Sequence, residues 1–461
     1  MNEKGIAQQE LRRGMMLNEP IHRVIPKMAV PTIVAFLINS IYSLADTYFV
    51  SSLGTNATAA VSVNASLDQL IMMCGSMLAL GANSYIARLM GQGNDKKASQ
   101  VLSTSFFLAF FIGALLTLFG SVFMRPMVRL LGATPTCEQF SVDYATYVLM
   151  AAPFMAASFV MNQCLRSEGS ATLSMIGMGL GGILNCVLDP IFIFGLDMGV
   201  AGASLATAIS KIVSFAILIF PYITRRSMLH LSLRNFNFCK DILSNVVSVG
   251  SSSMFRSGLA VLAGILLNDL AGNISDSVLA GIGVSTKIMM FPFSIILGFG
   301  SGFQPVAGFN WGARRYDRVK ESYSFSSKVA IIGAATISLL IALFSDQIVI
   351  LFAGSDPDML EIGSLSIRLQ CLALPIHAWV MVVNMLCTGL GCATDALILS
   401  TARQGTCMLP ILYPLAYLFQ EYGIASVQAL ADVISLVLAI PICIKMMRKI
   451  RSALTETDAG I

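Results

Sequence analysis

Charge is what this sequence has least of. Asp, Glu, Lys and Arg make up 12% of its 461 residues, against about a quarter in ordinary soluble domains. Apolar residues fill 56% of the chain, and the mean hydropathy is +0.77. A water-soluble chain cannot hide that much apolar surface behind so thin a polar rim. Soluble enzymes, disordered chains and secreted disulfide scaffolds are excluded on that ground. The net charge of +4 is small and sits in the loops, so there is no nucleic-acid footprint. Only three His are present and no CxxC pair, which leaves a metal centre without a ligand pattern. Of the ten Cys, Cys74, Cys164, Cys186, Cys371, Cys387, Cys407 and Cys443 lie in apolar stretches, where a thiol acts as a small hydrophobe. The sequence also lacks a GxxxxGK[ST] phosphate loop, an HExxH pair and a run of gating Arg. An ATP-driven pump, a zinc enzyme and a gated channel each lose their signature.

What the chain does have is long apolar runs. A membrane-spanning helix needs roughly 20 mostly apolar residues. Twelve runs qualify, near 28–51, 61–87, 100–124, 142–165, 173–195, 199–223, 243–268, 278–308, 325–345, 364–389, 396–419 and 423–446. The longest gaps fall at 224–242, 309–324 and 346–363. The first 27 residues are polar and carry no cleavable signal pattern, so the run from Met28 is expected to remain as an anchor. Basic residues crowd every second connection. Lys4, Arg12, Arg13, Arg23 and Lys27 precede the first run, and Arg88, Lys96 and Lys97 follow the second. Arg225, Arg226, Arg234 and Lys240 follow the sixth, and Arg314, Arg315, Arg318 and Lys320 follow the eighth. Lys445, Arg448, Lys449 and Arg451 form the tail. The alternate connections are nearly free of Lys and Arg, with Arg125 and Arg129 as exceptions. Positive charge favours the cytoplasmic side, so both termini are expected there.

The two halves repeat. At an offset of 221, Ala59, Val63, Gly81 and Gly91 match Ala280, Val284, Gly302 and Gly312. At 222, Pro153, Asn162, Gly169, Ala171 and Thr172 match Pro375, Asn384, Gly391, Ala393 and Thr394. At 224, Pro190 and Gly199 match Pro414 and Gly423. The expected fold is an all-α membrane protein of twelve helices in two pseudo-symmetric six-helix lobes. Its expected parts are a cytoplasmic segment 1–27, a first lobe 28–223, a basic linker 224–242, a second lobe 243–446 and a tail 447–461. An even number of spans per copy gives both copies the same orientation, related by an axis along the membrane normal. Two such lobes can rock about a cavity and give alternating access.

A carboxylate inside a bilayer costs about 2.5–3.5 kcal/mol on insertion scales. Asp46, Asp68, Asp189 and Asp432 lie inside the runs. Asp46 shares a helix face with Tyr42 and nearly with Asn39. Asp189 stands one turn after Asn185, and Pro190 follows it; that proline removes a backbone donor and lets the helix bend. In the repeat, Asp46 corresponds to Leu267 and Asp189 to Tyr413, so these acids belong to one copy only. Desolvation favours the neutral form of a carboxylate, which lets such groups exchange a proton in the working pH range. Asp68 reads as an extra cavity acid that attracts cations. Asp432 is expected to pair with Arg256 or Lys287. His377, on an apolar face, reads as a packed hydrogen-bonding residue. Asn39 and Asn162, with Asn384 as repeat partner of the latter, are the candidate substrate contacts. Gly177, Gly179, Gly181 and Gly182 allow either bending or close helix approach. The 26 Met and 27 Phe suit an adaptable pocket for flat hydrophobic cations, although most are expected to face lipid.

Four local patterns occur in order across the chain. They are Pro31 through Asn39, Tyr42, Asp46 and Gly54; the loop Ala87-Arg88-Leu89-Met90-Gly91-Gln92-Gly93; Leu165-Arg166-Ser167-Glu168-Gly169; and Asn185 to Pro190 followed by Gly199-Val200-Ala201-Gly202-Ala203. With twelve spans in two repeats, residues 20–450 resemble the multidrug and toxic compound extrusion family, MATE. The resemblance implies secondary efflux of organic, mostly cationic, compounds in exchange for H⁺ or Na⁺, with no cofactor. It implies a first-lobe cation or proton site of Asp46, Asp189, Tyr42, Asn185 and Thr207, and a drug contact at Asn162. Some branches carry further acids in the seventh and tenth spans; here Ser251, Ser252, Ser253 and Arg256 stand in the seventh and His377 in the tenth, which favours H⁺. The expected setting is the inner membrane of a bacterium, as a monomer. The same superfamily contains lipid-linked oligosaccharide flippases. That alternative wants a heavily basic central cavity, whereas few bases, chiefly Lys211, Arg256, Lys287, Lys328 and Arg368, lie in or near the runs.

Overall fold

A computed structural model describes residues 3–353 and 356–458. Helix α1 (Glu3–Asn18) is followed by α2 (Ile21–Ser51), α3 (Thr55–Gly91), α4 (Asp95–Val122), a short α5 (Met124–Leu130), α6 (Glu138–Ser167), α7 (Ala171–Pro190) and α8 (Gly199–Ile223). The second half repeats the order with α9 (Lys240–Ile274), α10 (Asp276–Gly312), α11 (Tyr316–Leu343), a short α12 (Ser345–Ala353), α13 (Pro357–Leu390), α14 (Ala393–Thr401) and α15 (Met408–Asp458). Five-residue π-helical turns, Ile191–Gly195 and Ala402–Thr406, follow α7 and α14.

The helices form because no other backbone arrangement satisfies every N–H and C=O in hydrocarbon within one segment. Their ends are set by local chemistry. The Asn94 side chain accepts from the Lys97 N–H at 3.1 Å, and Ser275 caps α10 through the Val278 N–H at 3.1 Å. The Asp356 carboxylate takes the N–H groups of Asp358 and Met359 at 3.1 and 3.2 Å, just ahead of Pro357 in the first turn of α13. The repeat is visible in the turns: Gly169 and Gly391 both take left-handed backbone, with φ of 77° and 79°, where a Cβ would be strained.

Eleven helical stretches among the described residues are long and apolar enough to cross a membrane. The last, Ala393–Glu456, holds two passes. At about 1.5 Å per residue, 64 residues would exceed a ~30 Å hydrocarbon layer threefold. The chain breaks its helix at Gln420, with φ 48° and ψ −125°, and a Cβ on Gly423 would meet the Leu415 carbonyl. The two arms of α15 therefore lie side by side, as the separate runs 396–419 and 423–446 anticipate. The expected gap at 309–324 shrinks to a turn at 313–315, because α10 extends to Gly312 and α11 begins at Tyr316. The polar N-terminus is not a loose segment. Met16, Ile21, Val24 and Ile25 are buried, and Arg318 donates to the Glu19 carbonyl at 2.7 Å.

The cores show how the lobes meet. One large cluster joins Met16, Met28, Met90 and Met161 of the first half to Phe303, Phe309, Leu386 and Met446 of the second. A second cluster contains first-half residues only, from Val50 to Ala208. Two others contain second-half residues only. The lobes share a core at the end that carries the N-terminal helix and the tail. Towards the other end each has its own.

Candidate functional site

The first-lobe acids converge. Asp189, fully buried at the end of α7, accepts from the Asn185 amide at 3.2 Å. The same Asn185 Nδ2 reaches Thr207 Oγ1 on α8 at 3.1 Å. Spacing brings this about: Asn185 and Asp189 are one turn apart, and α8 packs along α7. Asp46 stands within electrostatic reach of Asp189, and Asp68 within reach of Asp46. Four buried acceptor atoms here, Oδ1 of Asp46, Asp68 and Asn185 and Oδ2 of Asp189, have no hydrogen-bond partner. A cluster of unpaired acceptors in an apolar wall is a seat for a proton or a small cation.

Tyr42 does not bond the acids. Its hydroxyl accepts from Lys211 Nζ at 3.0 Å, and the ammonium lies 4.8 Å from the ring centroid. Lys211 also acts electrostatically on Asp46 and Asp68, so it is the counter-charge of the cluster. The sequence signal was present: Lys211 falls one turn after Thr207 on an otherwise apolar helix. Asp68 thus joins the ion cluster rather than the wall of the adjoining cavity.

That cavity, of about 60 Å³, is bounded by Asn39, Tyr42, Met155, Phe159, Asn162 and Lys211 among others. Asn39 and Asn162, the two first-lobe amides singled out as candidate contacts, both line it. The Asn162 amide is already engaged, donating to the Ser174 carbonyl at 3.1 Å and accepting from Arg166 at 2.7 Å. The glycines of α7 serve close approach. A Cβ on Gly177 would strike Leu218, and one on Gly181 would strike Ser214. The bend comes after Pro190, in the π turn.

The second lobe holds a larger cavity, about 220 Å³, lined by Arg256, Phe293, His377, Asn384, Ser400 and Arg403 among others. Asn384 donates to Ser400 Oγ at 2.9 Å. Asp432 does not pair with Arg256 or Lys287, contrary to expectation. It pairs with Arg403 at 2.9 Å and with His377 Nδ1 at 3.0 Å. Arg403 lies in the π turn of 402–406. The second copy is two residues longer between Thr394 and Pro414 than the first is between Thr172 and Pro190. The added length falls between Thr394 and Pro414, the stretch from which Arg403 reaches Asp432. Lys287 is solvent- or lipid-exposed. Arg403 lay inside the run 396–419 and was legible as an intramembrane base, but spacing alone did not reveal its partner.

Residues 31–191 and 253–418 match the MatE family model. The chain belongs to the MatE family. Its members are transporters and not enzymes. The MatE chain is 26% identical over 411 residues to the multidrug export protein MepA of Staphylococcus aureus (strain MSSA476), covering 88% of this chain and 89% of that protein. It is 28% identical over 407 residues to a FAD transporter of Shewanella oneidensis, with coverage of 87% and 89%. The crystal structure of MATE in complex with MaL6 superposes with a TM-score of 0.90 at 25% identity, over 96% of this chain and 99% of that one. The all-helical, two-lobe MATE architecture expected from the sequence is thereby established.

Proposed function

We propose that this MatE transporter expels organic, mostly cationic, compounds in exchange for inward H⁺, and that Asp46 and Asp189 carry the coupling proton. The observation that carries the reading is the first-lobe cluster of four partnerless buried acceptors beside a cavity walled by Tyr42, Asn39, Asn162 and flexible Met side chains. Protonating Asp189 removes its charge and gives it a donor, which changes what Asn185 and Thr207 can bond. The cluster then relaxes, α2 rebends against α7, and the substrate is ejected from the first-lobe cavity. H⁺ is favoured over Na⁺ because the second lobe lacks further acids in its seventh and tenth spans, where Ser251, Ser252, Ser253, Arg256 and His377 stand instead. The relatives' printed substrates, drugs in one case and FAD in the other, differ; the acid cluster favours cations here and speaks against the lipid-flipping alternative. Basic connections favour a cytoplasmic side for both termini, and the Staphylococcus relative suits a bacterial cell membrane. The protein works as a monomer in this reading.

The test uses proteoliposomes with an imposed pH gradient, no Na⁺, and rhodamine 6G as the transported dye. Uphill movement in native protein, lost at least tenfold in Asp189→Asn, is the expected result. Movement that starts only on adding Na⁺ replaces the ion. Movement under neither gradient overturns the reading.

A further inference from the structure

The two cavities occupy equivalent places in the repeat, but acids cluster beside the first whereas bases line the second. Met155 and Gly181 bound the first-lobe cavity, and the residues 222 positions later, His377 and Arg403, bound the second. Asn162 and Asn384 hold the same relation. Where the first lobe gathers Asp46, Asp68 and Asp189, the second gathers Arg256, Arg403 and His377 around one acid, Asp432.

That single acid is already spent. Asp432 is bound by Arg403 and His377, and the Arg403 guanidinium stacks 4.0 Å over the Phe293 ring. Arg256 is left as a cation in the wall. Among the described residues it has no ion-pair partner, and its one hydrogen bond is to Ser253 Oγ at 3.4 Å, too long to satisfy it. A guanidinium held in a low-dielectric wall without an anion is costly, and it is relieved by a planar, bidentate oxyanion. Asn384, Ser400 and Gln404 add neutral polar groups to the same cavity. At about 220 Å³ the space falls below the roughly 300–1,000 Å³ of drug-sized sites. It suits one charged end of a ligand whose remainder lies in the cleft.

We propose that the second-lobe cavity is an oxyanion site in which Arg256 binds a carboxylate or phosphate group of an organic ligand. The second lobe then supplies the group that holds the anionic end of such a ligand. This deepens the efflux reading and rests on it for the direction of transport, but the binding step does not depend on coupling.

The experiment therefore measures binding in detergent with no gradient. Fluorescein, an aromatic anion, is compared with rhodamine 123, a cation on the same ring system, by fluorescence anisotropy on the full chain. Fluorescein is expected to bind native protein, to lose at least tenfold in affinity in Arg256→Gln, and to recover partly in Arg256→Lys. Rhodamine 123 binding should change less than twofold in Arg256→Gln, which also shows that the variant is folded. Competition separates the sources of the oxyanion. Displacement by phenyl phosphate assigns the site to soluble anions, and displacement only by phosphatidylglycerol in mixed micelles assigns it to a lipid headgroup. Equal fluorescein affinity in native protein and Arg256→Gln, or no fluorescein binding to native protein that binds rhodamine 123, overturns the proposal. A protein that binds fluorescein through Arg256 yet moves no dye under either gradient overturns only the efflux reading.

Discussion

Glu168 closes α6 in the turn before α7, outside the spanning helices, and its side chain is 1% exposed. One carboxylate oxygen accepts from the Ser227 hydroxyl and from the Met228 N–H at 2.8 Å; the other has no partner. Arg12 of α1 acts on it as a counter-charge, and burial lowers the pKa of that guanidinium. Burial outweighs these contacts and pushes the Glu168 carboxyl up to about 7. The sign follows from proton linkage. The folded state holds this proton more tightly than the unfolded chain, so folding suffers no penalty below about pH 4. The penalty grows between pH 4 and 7 and is complete above 7. At about 1.4 kcal/mol per pKa unit it reaches the order of 3 kcal/mol. Glu168→Gln keeps an acceptor for Ser227 and Met228 and removes the charge. Its thermal midpoint in detergent should match native protein at pH 5 and exceed it at pH 8. A variant that is less stable at pH 8 would show that the charged form is the one the linker needs.

Helix crossings between the lobes depend on glycine. A Cβ on Gly81 of α3 would meet the Val246 carbonyl of α9, and one on Gly250 of α9 would meet the Met77 carbonyl of α3. Backbone cannot swing aside as a side chain can, so overpacking here costs about 1–3 kcal/mol or more. Gly264, also on α9, has nothing within 4 Å of its would-be Cβ, and Ala there gains up to about 1 kcal/mol of helix propensity. Gly81→Ala and Gly250→Ala should lower the melting midpoint, and Gly264→Ala should leave it or raise it. Equal behaviour of the three would mean that α3 and α9 are not pressed together. At this scale the sequence was readable where periodicity and composition decide: the twelve runs, the repeat, the breaker positions and the Asn185–Asp189 turn. It was not readable where one residue changes a helix's phase. Arg403 meets Asp432 from within the Ala402–Thr406 π turn, and no hydropathy pattern records a π turn. The pairing of Lys211 with Tyr42 likewise joins helices far apart in sequence, a contact that spacing along one helix cannot show.

The distribution of cores implies a direction for the whole molecule. Both lobes contribute to one apolar cluster at the end that carries the termini, and to separate clusters elsewhere. At the shared end α2 lies against α10, where Cβ atoms on Gly298 and Gly302 would strike the backbone of Ile33 and Ala29. The two cavities belong one to each lobe, so a ligand that spans them bridges the parts that must rock. Alternating access requires the shared end to separate and the cleft to close in turn. Ser40 of α2 and Ser294 of α10 meet across this seam, with their hydroxyl oxygens 2.8 Å apart. Replacing both with Cys puts two thiols at a distance that a disulfide, with its S–S of about 2.05 Å, can close with a small shift. The single replacements serve as controls against the ten native Cys. Oxidation of Ser40→Cys/Ser294→Cys should abolish dye transport while leaving dye binding within twofold, and a reductant should restore transport. If transport persists in protein whose cross-link is verified by mass spectrometry, the lobes do not part along α2 and α10, and access must alternate by bending within the first lobe alone.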